Sequence, residues 1–313
     1  MLYFIVNTTS RSGKGRAVWK RIKTVLKEKN ITFKAYETKY ENHATELAHK
    51  ITAKVEEKVD LVVVGGDGTI NEVINGIVDF SKVRFGVIPT GSGNDFARGL
   101  GIKQKPEEII DYIISNEQCE SIDIGKATWN GDNSRLFAIS AGIGLDAIVC
   151  KRTNTSRLKK VLNKLKLGKL SYIIITVHTL FSMDTFNVEI NDKDNGRCSY
   201  SKMIFMACMN FRAEGGGVPM APGATAIDGK LSIASAAGIP KWKTFFCLPL
   251  LVAAKHEGIK GFDIFESADC TINTDKPVVI HTDGEHIDDV TSVRFECLKG
   301  KLCMLNEVEK YVL

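Results

Sequence analysis

A run of β-branched residues at Val62-Val63-Val64 leads directly into Gly65-Gly66-Asp67-Gly68-Thr69. This pattern predicts a buried strand with a glycine loop at its carboxyl end, where open α/β sheets bind ligands. Three glycines leave the backbone N–H groups accessible to a phosphate, and a following helix start adds partial positive charge. Asp67 repels phosphate oxygens, so a bridging Mg²⁺ or ordered water is expected beside it.

The same run has a simpler interpretation. Thr69 and Glu72 have the spacing of a capping box at a helix start, and the glycines would then only form the turn. Both interpretations can hold together, because a capped helix start can also bind phosphate.

A second loop of this kind follows the next strand pattern, in Gly91-Ser92-Gly93-Asn94-Asp95. Two such loops about twenty residues apart are expected side by side at one edge of the sheet. Ser92 and the neighbouring N–H groups suit a phosphate, whereas Asn94 or Asp95 could act only as helix caps. The pair of loops predicts a nucleotide site more strongly than either loop alone.

The first strand pattern feeds a third polar loop, residues 7–15, which contains Ser10, Ser12, Gly13 and Lys14. It is not a Walker A loop, because the leading glycine is missing and no Ser or Thr follows Gly13-Lys14. We expect this loop to form a wall of the nucleotide site.

Apolar periodicity predicts a doubly wound α/β domain in the first third of the chain. The strand segments are 2–7, 31–38, 60–64 and 84–88, and the helix segments are 14–29, 43–57, 69–79 and 106–115. A mainly antiparallel β domain is predicted to follow, with strands at 121–128, 136–140, 186–190, 202–209, 230–235, 268–273, 278–281 and 293–297.

Composition limits the class of protein. The 313 residues are 44% apolar and 25% charged, as in a globular protein of two domains. A net charge of +5, from 42 basic and 37 acidic residues, is too small to indicate nucleic-acid binding. The eight cysteines are scattered and are expected to be reduced core residues. The longest apolar runs, 172–181 and 244–254, are shorter than the ~20 residues of a membrane span, so a cytoplasmic protein is expected.

Residues 151–170 carry eight basic side chains and no acidic one, interleaved with apolar residues at helical spacing. Lys159, Lys160, Lys164 and Lys166 could meet anionic lipid headgroups on a basic amphipathic helix. Alternatively, this segment is a solvated helix whose leucines pack against the β domain.

Five motifs together resemble the diacylglycerol kinase catalytic-domain family, which also includes sphingosine kinases and bacterial lipid kinases. The motifs are residues 65–72, 91–97, 142–147, 227–231 and 283–285. The resemblance implies an N-terminal domain similar to that of 6-phosphofructokinase, comprising residues 1–122 with 298–313. It also implies a C-terminal antiparallel β-sandwich, residues 123–297, and a cleft between the domains for ATP and lipid.

The resemblance also implies which residues contact the nucleotide. Position 8 departs from the proline that is usual in the first loop, which affects the expected geometry of that loop. The ATP contacts implied are Asn7, Ser10, Ser12, Gly13, Lys14, Thr38, Gly65, Gly66, Asp67, Gly68, Thr69, Asn71 and Ser92, with Asn94 and Asp95 in the second loop.

Three further positions have both a structural and a functional interpretation. Asp283-Gly284-Glu285 is typical of a hairpin turn, whereas the resemblance makes Glu285 the general base for the lipid hydroxyl. Asp228 lies in an apparent turn, and by resemblance it holds a structural Mg²⁺ with the carbonyls of Thr225 and Lys230. Asp146 is either a helix cap or the residue that meets the lipid head group. The Gly215-Gly216-Gly217 run receives no chemical role.

The expected activity is in-line transfer of the ATP γ-phosphoryl group to a lipid hydroxyl, with Mg²⁺ and with Glu285 or Asp67 accepting the proton. Diacylglycerol giving phosphatidic acid is the first choice, and a sphingoid base or phosphatidylglycerol comes next. An NAD kinase-like enzyme and a non-catalytic lipid- or nucleotide-binding regulator stay open. The expected partners are ATP and lipid at a membrane surface, with peripheral membrane association, no nucleic acid, and a homodimer allowed.

Overall fold

The N-terminal part of the chain is a parallel sheet with helices on both faces. The computed structural model describes residues 1–116, 118–155 and 168–308. The parallel strands pair in the order β2-β1-β3-β4. Helix α1 packs near α5, and α2 packs against α3. The strands are β1 (Leu2–Val6), β2 (Phe33–Glu37), β3 (Val59–Gly65) and β4 (Val83–Pro89), and the helices are α1 (Ser10–Glu28), α2 (His43–Thr52), α3 (Asp67–Gly76), α4 (Asp95–Gly99) and α5 (Pro106–Ser115), with a short 3₁₀ turn at Phe80–Lys82.

Burial explains why these segments adopt this arrangement. Leu61 to Val64 of β3 are fully buried, as expected for a strand covered on both faces. In α1, Val18, Ile22 and Leu26 recur every four residues and face the core. The predicted α/β domain is therefore confirmed, although α2 ends at Thr52, five residues before the predicted end.

The C-terminal part is an antiparallel β domain with three additional helices among its described residues. Long strands pair with different neighbours at their two ends: β12 pairs with β8 in its first half and with β7 in its second. The strands are β5 (Glu120–Trp129), β6 (Asn133–Phe137), β7 (Ser140–Gly144), β8 (Phe186–Asp192), β9 (Gly196–Met209), β10 (Leu231–Ala237), β11 (Phe262–Ser267), β12 (Asp269–Thr282) and β13 (Glu285–Met304), and the helices are α6 (Leu145–Thr155), α7 (Gly168–Ser182) and α8 (Lys241–Val252).

Several predicted elements differ from the observed ones. The strand predicted at 136–140 spans the gap between β6 and β7, and the strands predicted at 268–273 and 278–281 are one strand, β12, with an irregular register. The predicted basic helix at 151–170 begins in α6 and ends in α7, but residues 156–167, with all four lysines named above, lie outside the described residues.

Strand β13 connects the two parts. It pairs antiparallel with β12 and β5, and then Cys303 and Met304 pair in parallel with Arg84 and Phe85 of β4. The register shifts between Leu298 and Leu302, where Gly300 has a φ of 59°. The end of β13 thus adds a strand to the N-terminal sheet, while the domain boundaries at 122 and 297 stay a prediction.

The expectation that all cysteines are reduced core residues is wrong at three positions. Cys119 and Cys303 form a disulfide, and Cys198 is exposed. Spacing along the chain could not reveal this pair, because the two residues are 184 positions apart and meet only when β13 returns beside β5.

Among the described residues, no helix is long and apolar enough to cross a membrane.

Candidate active site

The two glycine loops touch each other at the carboxyl ends of β3 and β4. A Cβ on Gly66 would lie 2.9 Å from the Cα of Gly91, and a Cβ on Gly91 would lie 2.7 Å from the Cα of Gly66. Both glycines are therefore needed for backbone contact. By contrast, a Cβ on Gly68 would meet nothing within 4 Å. Gly68 consequently leaves open space beside the loop.

The first loop packs against both glycine loops through side chains. Asn7 Nδ2 donates to Thr69 Oγ1 at 3.0 Å, and the hydroxyls of Ser10 and Thr90 are 2.7 Å apart. These contacts bring the three predicted loops together at one sheet edge. The backbone of Thr38 joins this edge through its hydrogen bond to the carbonyl of Val6.

Three successive residues of the first loop have left-handed backbone conformations. Arg11, Ser12 and Gly13 have φ values of 46°, 57° and 92°. Runs of unusual backbone of this kind can direct successive N–H groups into a concave anion site. Five residues of the three loops are exposed to solvent at this edge of the sheet: Ser12, Gly13, Lys14, Gly68 and Ser92.

The predicted capping box at Thr69 and Glu72 does not form. Helix α3 begins at Asp67, so Thr69 lies inside the first turn and accepts the hydrogen bond from Asn7. Glu72 Oε2 instead accepts from the backbone N–H of Ala44 at 3.1 Å, which ties α3 to α2. The N–H groups of the first turn of α3 are thus not capped by this pair.

Asp67 lies where the loops converge. Its Oδ1 accepts from the backbone N–H of Phe96 at 3.1 Å. Burial raises the pKa of Asp67 to about 6, and the nearby Asp95 carboxylate adds to the rise. Backbone hydrogen bonds lower the pKa, but by less than burial raises it. A carboxylate in this position is suited to a cation or to a proton transfer near neutral pH.

Asp95 connects the second glycine loop to the β domain. It forms an ion pair with Arg98, and its Oδ2 accepts from the backbone N–H of Gly216 at 2.7 Å. Asn94 is the N-cap residue of α4, but its side chain makes no capping hydrogen bond, and its Oδ1 is buried without a partner. An unpaired buried acceptor at this loop fits a bound molecule or water.

The turn at Asp283-Gly284 is the predicted hairpin turn, because Thr282 and Glu285 pair directly across it. Asp283 has an additional role that the sequence did not reveal. Its carboxylate accepts from three backbone N–H groups, those of residues 138, 139 and 140, at 2.7 to 3.0 Å. It also accepts from Asn71 Nδ2 at 2.8 Å, which joins the hairpin to α3.

Asn71 is almost fully buried and its amide is occupied by protein. Besides Asp283, Nδ2 donates to the carbonyl of Leu136, and Oδ1 accepts from Arg135. The structure therefore uses the Asn71 side chain to join α3 to the β domain. A direct contact with ATP stays a prediction for this residue.

Glu285 begins β13 and is partly exposed. Within the described part of the chain, its carboxylate has no hydrogen-bond or ion-pair partner. It follows the turn that Asp283 anchors next to α3, so its backbone is fixed while its carboxylate is free to accept a proton. This arrangement is compatible with a general base.

A largely apolar cavity of about 520 Å³ opens on the β domain. This volume is within the range of sites for small molecules, roughly 300–1,000 Å³. Two carboxylates, Asp146 and Glu214, lie among otherwise mainly apolar walls, and the lining residues come from α6, α7, α8, β9 and the segment 214–220.

A buried polar cluster forms at these carboxylates. His281 Nε2 lies 3.1 Å from Asp146 Oδ2 and 4.0 Å from Glu214 Oε2, and Glu214 also accepts from Ser140 Oγ. A Cβ on Gly142 would lie 2.0 Å from Asp146 Oδ2, so glycine leaves the space for this carboxylate. Asp146 sits within the first turn of α6 and is not its cap.

Burial and the cluster's own charges shift its titration. Burial raises the pKa of Glu214 to about 7, with Asp146 adding to the rise and His281 opposing it. Burial lowers the pKa of His281, but the Asp146 and Glu214 carboxylates outweigh it and raise the value to about 9. The side-chain oxygen and nitrogen atoms of the three residues lie within 4.8 Å of one another, so the charges of the two carboxylates and of His281 act on each other.

Sequence reasoning identified Asp146 but not its two partners. His281 precedes Asp283 by two residues in β12, and its pairing opposite Gly142 brings it to Asp146. Glu214 directly precedes the three glycines, a run that had received no role. The register of β12 with β7 links His281 to Asp146, and Glu214 joins them through its hydrogen bond with Ser140.

The loop at residues 225–230, where a structural Mg²⁺ is expected, contains several oxygen atoms that could bind a cation. Asp228 is exposed and its Oδ1 accepts from the backbone N–H of Lys230 at 2.9 Å. Thr225 Oγ1 is buried without a partner, and Asp123 approaches the same loop through the N–H of Gly229. These hard oxygen donors fit Mg²⁺ or Ca²⁺.

Comparisons with known proteins match two stretches of the chain. Residues 1–127 match the family described as diacylglycerol kinase catalytic domain. Residues 139–306 match the family described as YegS C-terminal NAD kinase beta sandwich-like domain.

Individual relatives extend over much of the chain. "Putative lipid kinase YtlR" of Bacillus subtilis is 30% identical over 90% of this chain and 92% of its own length. A diacylglycerol kinase of the same organism is 33% identical over 73% of this chain and 71% of its own. The crystal structure of a "putative diacylglycerol kinase" from Bacillus anthracis has a TM-score of 0.74 and 25% identity, and 97% of each chain is covered.

Proposed function

This chain belongs to the diacylglycerol kinase catalytic-domain family, and from that premise we propose that it is an ATP-dependent lipid kinase. One observation carries the proposal: the 214–218 segment joins the glycine-loop edge to the apolar cavity. Gly216 donates to Asp95 in the second loop, while Glu214 lines the cavity. A phosphate donor and a lipid acceptor would therefore lie on opposite sides of one short segment.

On the nucleotide side, the three loops would surround the ATP phosphates. N–H groups from residues 11–13, from Gly66 to Thr69 and near Ser92 would bind phosphate oxygens, and Lys14 would supply a positive charge. Asn7 and Ser10 would hold these loops in position through Thr69 and Thr90. We also propose, as part of this function, that the nucleotide-binding domain is similar to that of 6-phosphofructokinase.

Mg²⁺ bound with ATP would neutralise part of the phosphate charge that develops during transfer. The fit of this ion rests on Asp67, which is partly buried close to Asp95 and has no basic partner among the described residues. Asp228, with the carbonyls of Thr225 and Lys230, would hold a separate structural Mg²⁺ away from the reaction.

On the lipid side, an acyl chain would occupy the apolar cavity and the head group would face Asp146. In the reaction, the lipid hydroxyl oxygen bonds to the γ-phosphorus as the bond from that phosphorus to the bridging oxygen of ADP breaks. Glu285, or alternatively Asp67, accepts the hydroxyl proton. Diacylglycerol, which would give phosphatidic acid, is the first substrate choice.

A sphingoid base is the second candidate substrate, and one observation favours it. Asp146 and Glu214 place two carboxylates against one histidine at the cavity wall. Because Asp146 and Glu214 also line the cavity, their oxygens would accept hydrogen bonds from an amine next to the reacting hydroxyl. We also propose that the protein acts at a membrane surface, where its lipid substrate resides.

The test is transfer of radiolabelled phosphate from ATP to diacylglycerol, a sphingoid base, phosphatidylglycerol and NAD in parallel. We expect label in lipid, and we expect Glu285→Gln to lower turnover by roughly a hundredfold or more while ATP affinity is unchanged. Glu189→Gln, at an exposed position in β8, is the matched control.

Each alternative has its own result. Label in NAD alone would identify an NAD kinase-like enzyme. ATP binding without turnover on any lipid would indicate a non-catalytic regulator, and wild-type turnover in Glu285→Gln would remove this residue as the base.

A further inference from the structure

Exposed apolar side chains concentrate on two neighbouring helices. Of the twelve large hydrophobic side chains that are exposed among the described residues, eight lie on α7 and α8. The rings of Phe181 and Phe245 are 6.0 Å apart, and those of Phe245 and Phe246 are 5.4 Å apart, so the two helices present one continuous surface. We name it the α7–α8 patch, and it consists of Ile173, Ile174, Phe181, Trp242, Phe245, Phe246, Leu250 and Val252.

The α7–α8 patch is continuous with the apolar cavity. Ile173, Phe245, Phe246 and Val252 belong to the patch and also line the cavity. Apolar surface thus extends without interruption from the outside of the protein to the walls near Asp146 and Glu214. A hydrocarbon chain could follow this route without crossing water. A protein partner would have no need of an apolar path into the cavity, so this continuity favours a lipid.

The charged side chains on the α8 side of the patch have one sign. Between Pro240 and His256 the sequence contains three lysines and no acidic residue. Lys241 donates to the carbonyl oxygen of Met183, which fixes the start of α8 beside α7. Lys243 is half-buried in the first turn of α8, and Lys255 is exposed three residues beyond the end of this helix. Tryptophan beside lysines at the edge of an apolar helix face is typical of segments at a membrane surface.

We propose that the α7–α8 patch docks this protein onto an anionic lipid bilayer, with Trp242 and its apolar neighbours inserted among the lipids. The two helices then place the opening of the cavity against the bilayer, so that a lipid moves directly from the membrane into the protein. This proposal rests on the proposed function for the role of the cavity. Membrane binding itself requires neither ATP nor turnover, so it is tested separately.

The experiment measures co-sedimentation of the purified protein with vesicles of phosphatidylglycerol and phosphatidylcholine, compared with phosphatidylcholine alone, in the absence of ATP. The variants Trp242→Ser and Ile174→Ser change exposed residues that do not line the cavity. Their side chains are 62% and 46% exposed, and Tyr40→Ser and Val78→Ser, at 57% and 54%, are the matched controls on the other domain.

Each patch variant is expected to lower the vesicle partition coefficient about tenfold, the change that follows from losing one large inserted side chain. The controls should bind like wild type, and binding should be stronger with phosphatidylglycerol and weaker in high salt. Trp242 fluorescence should be quenched by brominated lipids, in a signal absent from Trp242→Phe.

Unchanged vesicle binding in both patch variants would overturn the proposal, as would equal losses in the controls. A dimer that dissociates in Trp242→Ser while vesicle binding persists would show that a second copy covers the patch instead. A lack of lipid phosphorylation with patch-dependent vesicle binding would refute the proposed function and leave the docking surface standing.

Discussion

Asp67 combines a central position in the site with an unfavourable environment for its charge. Because burial raises its pKa from the usual 3.8 to about 6, the folded protein holds this proton more tightly than the unfolded chain does. Its contribution to stability is therefore largest below about pH 4 and is lost as the pH rises through 6. The ionised side chain destabilises the fold at the pH where a kinase would need it.

Asp67→Asn should consequently increase the free energy of unfolding at pH 8 by roughly 1–2 kcal/mol, and the increase should vanish near pH 4. The estimate is below the full linkage value because the side chain is partly exposed. The amide can still accept the hydrogen bond from Phe96. Urea unfolding at both pH values measures the difference, and phosphate transfer should be lost.

Asp79→Asn is the control with the opposite sign. Hydrogen bonds from Ser81 lower the pKa of Asp79, so its ionised form favours folding above the usual pKa. This variant should lose a little stability at pH 8 and retain activity. If the free energy of unfolding at pH 8 rose in Asp79→Asn but not in Asp67→Asn, the ionised Asp67 side chain would not be the destabilising group.

At this scale, the sequence identified residues whose type is dictated by local backbone needs. Gly66, Gly91 and the Asp283-Gly284 turn follow from loop chemistry that can be recognised over a few residues. Glu214 and His281 could not be identified, because their importance arises from tertiary contacts and not from neighbours in sequence.

The segment 214–218 is the element through which the two sites could influence each other. Residues 215, 216 and 217 all have positive φ, and Glu214 pairs with Val218 to close the turn. The N–H of Gly216 is directed at Asp95, while Glu214 is directed at the cavity. Any strain within the turn will displace both contacts together.

Gly216→Ala should therefore raise the KM for lipid at least about fivefold, in addition to lowering stability by about 1 kcal/mol through its φ of 89°. Gly196→Ala is a close control, because Gly196 has a φ of 80° and equally open surroundings in the distant β8–β9 hairpin. It should show the same loss of stability with an unchanged KM. Equal kinetic effects in both variants would remove the special role of the 214–218 segment.

Among the elements, those with regular periodicity were predicted well and those governed by tertiary contacts were not. Helix α5 was predicted with its observed ends, since Pro106 fixes its first turn. Helix α8 was missed because apolar residues occur on all of its sides and because Pro249, a residue that disfavours helix, lies inside it. The proposed docking of the α7–α8 patch onto a bilayer would explain why one face of this helix is both apolar and exposed.

At the scale of the whole molecule, the disulfide closes a very long loop. Cys119 precedes β5 and Cys303 lies near the end of β13, 184 positions further along the chain. A crosslink of this kind stabilises mainly by restricting the unfolded chain. It encloses nearly all of the β domain, so its effect should appear in global unfolding.

Cys119→Ser should lower the free energy of unfolding by about 2–4 kcal/mol, and a reducing agent should have the same effect on the wild type. Cys198→Ser, at an exposed free cysteine, should change little and should remain sensitive to reduction. Identical unfolding of the wild type with and without reductant would contradict this prediction. Denaturant titrations under both conditions provide the comparison.

The way β13 completes the N-terminal sheet has a consequence for biosynthesis. Strand β4 pairs with β3 on one side and with the end of β13 on the other, and Val87 is 219 residues from its partner Asn306. At typical elongation rates this separation corresponds to roughly 10–40 s during which β4 emerges from the ribosome as an open edge. An open edge can pair with other nascent chains. We therefore expect this half-finished sheet to pair with neighbouring chains on the polysome unless they are kept apart until β13 has been synthesised.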